Sequence, residues 1–361
     1  MGHLAIVNQE TIKKVIEEGC ISTRGDLKDK WIKTTADLFS DVLATRKGDF
    51  IFPWIIKNRD TKNEDPKRLG FKYVFKVAGS PVFIEGDEYP IKIPLEKEGI
   101  EYEIPLSEAE ALDLWSTELL WNAIGKKSLG RGRSLTHQTP MEDLRMINML
   151  EKKNNGSSTK IELKKFSTSG LKISINPSQY KWDDNFFKKL MKYPIRERIS
   201  HLDIKRIPWR RNNLFIVEKV LEAWFMENID KNKEIENKII GKEKIEWFGN
   251  YLPFGVQGSN IDIIVIQMGN NDEKIIKIIE LKMKGLNENE FKEAARQAVE
   301  YSFFIRDAFN AFKIPVKLET IVISGKSNVD KIKSITIKGV KPKWFTYDLN
   351  DEGNISFEEI L

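Results

Sequence analysis

The chain has 361 residues, a formal net charge of +5 and a pI near 8.9. Its hydrophobic content of 40% excludes an intrinsically disordered protein, and its length leaves room for two domains with separate cores. No apolar run is long enough to span a bilayer, no signal-peptide segment opens the chain, and the single cysteine, Cys20, excludes an intramolecular disulfide. We therefore expect an intracellular, cytoplasmic protein with no membrane partner.

The first 150 residues predict helices interleaved with strands that are rich in aromatic residues. Strands bounded by Gly and Pro turns are predicted over residues 48–58 and 71–84. Apolar residues at helical spacing predict four helices. These helices cover residues 11–19, 29–44, 106–125 and 140–152.

This order of elements over residues 30–150 resembles the PUA-like barrels of the EVE and YTH type. The resemblance implies an N-terminal β-barrel with helices, residues 1–152, that recognises nucleic acid. Members hold a flipped-out, modified base between aromatic side chains, where stacking recovers part of the unstacking energy. The hypothesis that this protein reads a modified base rests on that resemblance alone. The aromatic residues that would build the pocket are Phe52, Trp54, Trp115 and Trp121.

A polar stretch containing Gly and Ser, KKNNGSSTK (152–160), follows the last of these helices. Such composition is typical of a connection between domains. We therefore assign residues 153–165 to a linker and residues 166–361 to a second domain.

Trp115 and Trp121 lie at helical spacing, so a position in the core is the alternative to a pocket role for both.

Two clusters of basic residues are candidate contacts with nucleic acid. GKKSLGRGRS (125–134) is a glycine-rich loop that can approach a strand closely, and KRIPWRRNN (205–213) places its cations around a tryptophan. A solvated basic surface is the alternative for each cluster, because the modest net charge permits nucleic-acid binding without requiring it. The candidate contact residues are Lys126, Arg131, Arg133, Arg206, Trp209, Arg210 and Arg211.

The segment NNLFIVEKVLEAWFMENI (212–229) predicts a helix that carries a glutamate on its apolar stripe. Glu218 shares that stripe with Leu214 and Leu221. Glu222, one turn further along the helix, lies close enough to be the alternative to Glu218. The sequence leaves open which of the two glutamates joins a site.

The segment GSNIDIIVIQMGNNDEKIIKIIELK (258–282) predicts two apolar strands joined by a Gly-Asn-Asn-Asp turn. Asp262 opens the first strand, and Glu280 and Lys282 share one face of the second because side chains alternate along a strand. Unpaired charges inside apolar strands cost several kcal/mol or shift their pKa values, so a compensating partner is expected.

A hard divalent cation would supply that compensation. Mg²⁺, with Mn²⁺ as a substitute, prefers carboxylate and carbonyl oxygens, which Asp262, Glu280 and the carbonyl group of Leu281 could provide. The bound cation would polarise a phosphodiester oxygen and lower the pKa of a bound water. Lys282 would orient that water or counter the charge that develops on phosphorus. The pattern therefore predicts phosphodiester hydrolysis.

This arrangement resembles the PD-(D/E)xK nuclease superfamily, with Asp262, Glu280 and Lys282 in the motif positions and Ile261 in place of the proline. The following segment (287–309) predicts a helix on which Gln297 and Tyr301 give a QxxxY spacing, similar to the RecB-like branch. A buried strand is predicted next, over residues 317–326. The resemblance implies a restriction-endonuclease-like mixed sheet flanked by helices, with Glu218, Gln297 and Tyr301 beside the motif.

The sequence thus predicts an α/β (α+β) protein of two domains, in which a PUA/EVE-like module reads DNA and a PD-(D/E)xK domain cuts it. Such a metal-dependent endonuclease of restriction type belongs in a prokaryotic cytoplasm. Cleavage of both strands needs two active sites, which predicts a homodimer. The alternatives are a repair or structure-specific nuclease and a non-catalytic nucleic-acid-binding protein, with RNA as a less expected ligand than DNA.

Overall fold

The structure is a computed structural model of a mixed α/β protein with several sheets. The chain divides into two compact units: Met1–Gly25 with Asp41–Ile173, and Asp26–Ser40 with Ser174–Leu361. No helix in the described part of the chain is both long and apolar enough to cross a membrane. The structure describes residues 1–23, 31–56, 69–107, 109–111, 135–167, 170–178, 182–194, 207–254, 259–271, 273–311, 313–326 and 335–360.

The first unit contains a six-stranded sheet of order β8-β1-β3-β4-β7-β9 and a four-stranded sheet of order β10-β5-β6-β2. Strand β1 pairs in parallel with β3, and the other pairings in both sheets are antiparallel. The strands are β1 (Gly2–Val7), β2 (Cys20–Thr23), β3 (Phe50–Ile55), β4 (Gly70–Lys76), β5 (Val82–Phe83), β6 (Ile91–Pro94), β7 (Glu98–Leu106), β8 (Thr136–Gln138), β9 (Thr159–Glu162) and β10 (Leu171–Lys172).

Among the described residues these sheets do not close into the barrel that the sequence predicts. The predicted strand over residues 71–84 is split between the two sheets, because β4 ends at Lys76 and Val82–Phe83 joins the other sheet. Gly79 and Pro81 lie in the break, where neither residue type favours a continuing strand. The strand over residues 48–58 is confirmed as β3.

The helices in this part of the chain are α1 (Gln9–Glu18), α2 (Trp31–Leu43) and α3 (Pro140–Lys153). Helices α1 and α3 belong to the first unit, whereas α2 belongs to the second unit as far as Ser40. The side chain of Asn8 caps α1 by accepting from Thr11 N at 2.7 Å, and Gly19 ends it in the left-handed region at φ 67°. A capping box between Thr139 and Glu142 starts α3. The core beside α3 consists of Leu4, Phe52, Phe71, Val74, Tyr102, Leu106, Ala111, Met146 and Leu150.

The predicted linker over residues 153–165 differs from the structure. Strand β9 lies within it and pairs with β7, so this segment completes the six-stranded sheet. The boundary between the compact units falls after Ile173. Polar, exposed residues dominate β9 because it is an edge strand, which explains why composition alone predicts a loop there.

The second unit is built on a six-stranded mixed sheet of order β13-β14-β15-β16-β17-β18. Strands β15, β16 and β17 are parallel, whereas the other pairings are antiparallel. The described strands of this unit are β11 (Arg210–Arg211), β12 (Leu214–Phe215), β13 (Ile245–Phe254), β14 (Ser259–Met268), β15 (Lys274–Lys282), β16 (Val316–Gly325), β17 (Lys343–Leu349) and β18 (Ile355–Glu359), of which β11 and β12 form a separate two-stranded sheet. Its helices are α4 (Asp184–Leu190), α5 (Glu218–Asn228), a π-helix (Ile235–Ile240) and α6 (Glu288–Ala311).

The predicted order of hairpin, helix and strand is confirmed in this unit. Helix α6 connects β15 to the parallel strand β16 and packs against both. On this helix, Phe291 stacks on Trp344 of β17 with ring centroids 4.6 Å apart. A buried apolar cluster around these rings joins α6 to the sheet and holds the helix in place.

The helix predicted over residues 212–229 begins later than expected. Arg210–Arg211 and Leu214–Phe215 form a small hairpin around Asn212, which has a φ of 52°. Asparagine tolerates this left-handed conformation better than most residues, so a tight turn forms here instead of helix. Helix α5 therefore starts at Glu218.

A buried polar cluster lies beside β1 in the first unit. His3 Nδ1 is 3.0 Å from His137 Nδ1, and His3 Nε2 is 3.0 Å from Asp49 Oδ2. Asp143 is 2% exposed, and neither of its carboxylate oxygens has a hydrogen-bond partner among the described residues. A Cβ atom added at Gly2 would lie 1.8 Å from Asp143 Oδ1, so this carboxyl packs directly on the glycine backbone.

The Asp143→Asn variant should be more stable than the native protein at pH 8.5 and lose that advantage near pH 4. Burial raises the pKa of Asp143 to about 8, with Glu142 and Asp49 adding to the shift and the Met1 ammonium opposing it. When folding raises the pKa of a carboxyl group, the protein loses stability as pH rises from the unfolded pKa to the folded pKa of that group. Asparagine does not titrate, so the variant avoids this loss. Thermal unfolding of both proteins across this range measures the gap, and a gap independent of pH would contradict the expectation.

Candidate active site

The predicted trio lies at the open end of the hairpin formed by β14 and β15. The antiparallel register pairs Ile263 with Ile279, which places Asp262 opposite Glu280 one residue further along. Glu280 and Lys282 are two residues apart on β15 and share one face. The structure therefore brings the three ionisable residues together.

Hydrogen bonds connect these side chains to each other and to the strand. Leu281 N donates to Asp262 Oδ2 at 2.8 Å. Lys282 Nζ donates to Glu280 Oε1 at 2.6 Å and to the Leu281 carbonyl oxygen at 3.1 Å. Glu280 Oε2 is buried without a hydrogen-bond partner among the described residues. A buried, unpartnered carboxylate oxygen is costly, which marks this atom as a point for a ligand to bind.

Burial and repulsion both act against ionisation of the two carboxyl groups. Asp262 is 9% exposed and Glu280 is 2% exposed. Burial, followed by the charges of Glu280 and Glu222, raises the pKa of Asp262 well above its usual value. Burial also raises the pKa of Glu280, against the opposing charge of Lys282. An added positive charge would therefore stabilise the ionised site.

Helix α5 brings two glutamates within electrostatic range of the trio. Glu218 is half-buried, and its charge contributes to raising the pKa values of Glu280 and Lys282. Glu222 is 1% exposed, and its charge contributes to raising the pKa of Asp262. The charges of both glutamates that the sequence left as alternatives thus act on the trio.

Lys219 is a residue of this site that sequence reasoning missed. Its ammonium donates to Glu222 Oε2, while the side-chain amide of Asn250 donates to Glu222 Oε1. Burial would lower the pKa of Lys219, but the charges of Glu222 and Asp262 outweigh it and hold the pKa above its usual value. A lysine and a glutamate three residues apart on a predicted helix share one face, and this spacing could have revealed the pair.

Helix α6 contributes the predicted glutamine and tyrosine to the same region. Gln297 Nε2 donates to Tyr301 Oη at 2.6 Å, and Tyr301 is 2% exposed. Burial raises the pKa of Tyr301, and the charges of Glu280 and Asp262 raise it further. The hydroxyl group therefore lies within electrostatic range of the carboxylates.

The donor atoms of this site suit a hard cation. In the described part of the chain, no three His, Cys, Asp or Glu side chains are arranged to hold a metal ion. The predicted set instead combines two carboxylates, Asp262 and Glu280, with the Leu281 carbonyl oxygen. Mg²⁺ prefers oxygen ligands, keeps several waters and often takes few protein ligands. The unpartnered Glu280 Oε2 gives such a cation a point of attachment.

The predicted phosphate contacts lie in different environments. Trp209 is buried, and Arg210 is 1% exposed with its guanidinium donating to the carbonyl oxygens of Asn350 and Asp351. These bonds hold the turn between β17 and β18, so we leave Arg210 out of the proposed DNA contacts. Arg211 is exposed. Outside the described residues lie Lys126, Arg131, Arg133 and Arg206.

The predicted base pocket is only partly described. Phe52 is fully buried in the core of the first unit, which leaves no ring face for a base. Trp54 is half-buried and stacks on Phe71 with centroids 5.9 Å apart. Trp115 and Trp121 lie outside the described residues.

Comparison with known proteins adds no relative to these observations. A scan against protein-family models matches no family. A search of curated proteins likewise finds no match. The case for a function therefore rests on the site itself.

Proposed function

We propose that this protein is a metal-dependent DNA endonuclease of restriction type, with its active site on the hairpin of the second unit. The observation that carries the proposal is Glu280 Oε2, a buried carboxylate oxygen without a hydrogen-bond partner among the described residues. Among the described residues, the charges of Glu218, Glu222 and Lys219 also act on Asp262, Glu280 or Lys282, so two negative charges remain when all six groups are ionised. One divalent cation balances that charge.

Different residues of the site would contribute different parts of phosphodiester hydrolysis. Asp262, Glu280 and the Leu281 carbonyl oxygen would hold Mg²⁺ or Mn²⁺, which supplies Lewis-acid polarisation of the phosphodiester and a bound water of lowered pKa. Lys282 places its ammonium beside Glu280 Oε1, where it orients the attacking water and counters charge developing on phosphorus. Gln297 and Tyr301, which bond to each other on α6, would restrict access of bulk water to the site.

The fold and the assembly follow from the same proposal. We assign the second unit to the restriction-endonuclease-like class because its hairpin, helix and parallel strand carry the motif residues in order. The first unit is proposed to be the PUA/EVE-like module that reads DNA, with recognition of a modified base as its specific role. Cutting both strands needs two such sites, so the active form is proposed to be a homodimer.

Two alternatives make different predictions about substrate. A repair or structure-specific nuclease would use the same residues but prefer branched or single-stranded DNA over a plasmid. A non-catalytic nucleic-acid-binding protein has no use for a buried aspartate, glutamate and lysine on adjacent apolar strands. The charged trio therefore favours an enzyme over a pure binding protein.

Metal binding can be tested without any substrate. Mg²⁺ or Mn²⁺ at about 100 times its dissociation constant stabilises a one-site protein by about 2.7 kcal/mol, which corresponds to a rise of several degrees in melting temperature. We expect that rise for the native protein and little or none for Glu280→Ala.

The matched control for this test is Glu319→Gln. Glu319 is a partly buried glutamate of the same sheet and forms an ion pair with Lys277. Lys277 and Glu280 are three positions apart on β15, so their side chains point to opposite faces of the sheet. This variant should keep the full response to the metal. Equal responses in Glu280→Ala and the native protein would contradict the proposed site.

A further inference from the structure

The strand that carries Glu280 and Lys282 ends directly after the lysine. Lys282 is the last residue of β15, and the chain then turns over the end of the neighbouring strand β16. Gly325, the last residue of β16, donates from its amide to the Lys284 carbonyl oxygen at 3.2 Å. A Cβ atom at Gly325 would lie 2.5 Å from the Met283 carbonyl oxygen, so the turn packs on the glycine backbone. The position of Lys282 therefore depends on how this turn is held.

A buried hydroxyl group holds the turn. Tyr347 on β17 is fully buried, and its Oη donates to the Met283 carbonyl oxygen at 3.0 Å. In the strand register Tyr347 pairs with Gly325, so its side chain reaches past the glycine to the turn. A side chain at Gly325 would meet the same carbonyl oxygen, and the glycine thus leaves room for this hydrogen bond.

The same hydroxyl group also holds the segment that leads into α5. Phe215 N donates to Tyr347 Oη at 3.3 Å, and the two rings lie with centroids 5.7 Å apart. Phe215 in turn contacts Trp224 of α5, with ring centroids 5.9 Å apart. The hydroxyl group therefore uses its proton for one segment and a lone pair for the other. Tyr347 joins β17 both to the turn after Lys282 and to the hairpin before α5.

Tyr347 acts on the site through the backbone. Lys282 pairs with Ser324, the residue before Gly325, so Lys282 and Tyr347 point to opposite faces of the sheet. The tyrosine side chain lies away from the face that carries Glu280 and Lys282. Its connection to the motif is the Met283 carbonyl group, one residue beyond the lysine.

We propose that Tyr347 is a positioning residue, whose hydroxyl group fixes the end of β15 so that the Lys282 ammonium stays beside Glu280 Oε1. This inference rests on the proposed nuclease function. Lys282 lies 2.6 Å from Glu280 Oε1, and a displacement of about 1 Å in a reacting group can cost about 100-fold in rate. Without the hydroxyl group, the Met283 carbonyl group loses its partner and the end of the strand shifts.

The test is Tyr347→Phe, which removes the hydroxyl group and keeps the ring. We expect kcat for plasmid cleavage to fall by about 10- to 100-fold. The KM for DNA and the Mg²⁺ dissociation constant, measured by calorimetry, should stay within about two-fold of the native values, because the lost interaction acts on the chemical step and not on binding. The melting temperature should fall by a few degrees, since two backbone groups lose a hydrogen-bond partner.

Gly325→Ala disturbs the same contact from the other side. The added methyl group would push the Met283 carbonyl group away from Tyr347, so kcat should fall in the same way. The double variant Tyr347→Phe/Gly325→Ala should have a kcat close to that of the slower single variant, because both changes break one hydrogen bond. Additive losses of kcat in the double variant would contradict a shared action on Met283.

Lys277→Met is the matched control for loss of stability. Its partner Glu319 and the glycine at the end of β16 are six residues apart on one strand, so Lys277 lies on the same face of the sheet as Tyr347. Lys277 is 6% exposed and bonded to Glu319. The variant should lower the melting temperature while kcat stays at the native value.

The possible outcomes separate this inference from the function on which it rests. A lower kcat at native KM in Tyr347→Phe, with kcat unchanged in Lys277→Met, supports the inference. Native protein that cuts DNA, with an unchanged kcat in Tyr347→Phe or an equal loss of kcat in Lys277→Met, would overturn the role of Tyr347 alone. Native protein that does not cut DNA would overturn the proposed function and this inference together.

Discussion

We expect Asp262→Asn to lose most of the proposed metal-dependent DNA cleavage and at the same time to have a higher melting temperature than the native protein. A neutral amide at this position would be a poor ligand for a hard cation, so cleavage should fall by at least about 100-fold. The amide oxygen still accepts from Leu281 N, which preserves the local hydrogen bond. The substitution removes a charge from a position where burial, Glu280 and Glu222 all disfavour it.

The stability gain should depend on pH in a defined direction. The pKa of Asp262 is raised by folding, so the native protein loses stability as pH rises above the unfolded pKa of an aspartate, while the variant does not. Asp262→Asn should therefore gain about 1 kcal/mol or more near pH 8 and little near pH 4. Thermal unfolding without metal, with Glu319→Gln as the control, measures this. An inactive variant that is also destabilised at every pH would indicate damage to the fold instead.

We expect Lys282→Met to lose both the proposed activity and part of the stability, whereas Glu280→Gln should lose the proposed activity with little change in stability. Lys282 is the charge that opposes the raised pKa of Glu280, and it bonds to Glu280 Oε1 at 2.6 Å. Breaking a fully buried pair costs about 3 to 5 kcal/mol; we expect about 2 kcal/mol because the Lys282 side chain is 29% exposed. The loss should grow as pH rises, since the unpaired Glu280 carboxyl is then forced to ionise.

The double variant Lys282→Met/Glu280→Gln completes the cycle. It contains no unpaired buried charge at these two positions, so most of the lost stability should return, while cleavage should stay absent because both proposed catalytic groups are missing. Free energies of unfolding from denaturant titrations give the coupling between the two residues. A double variant as unstable as Lys282→Met would show that Lys282 contributes through packing and not through its charge on Glu280.

The local features of this site could be predicted from the sequence. Glu280 and Lys282 share a face because they are two residues apart on a strand, and the turn after Met268 brings Asp262 opposite them. Continuous runs of Ile and Val identify the buried strands, and the helical spacing of Gln297 and Tyr301 brings both to one face. Each of these inferences uses short-range periodicity.

The surroundings of the site depend on packing between distant segments, which periodicity does not encode. Glu222 and Asn250 are 28 residues apart, and Asn250 and Ser40 are 210 residues apart. The segment Asp26–Ser40 joins the second unit although the sequence places it in the first domain. The predicted start of α5 was wrong for a local reason, because the turn at Asn212 competes with an equally plausible helical pattern.

The most direct test of the central claim is cleavage of plasmid DNA in Mg²⁺, using matched modified and unmodified plasmids. Native protein and Glu319→Gln should produce discrete fragments, while Asp262→Asn and Glu280→Gln leave the plasmid intact. Fragments from only one plasmid would also support the assignment of the first unit as a reader of modified bases. Binding of both plasmids by the native protein without any cutting would contradict the claim that this site hydrolyses DNA.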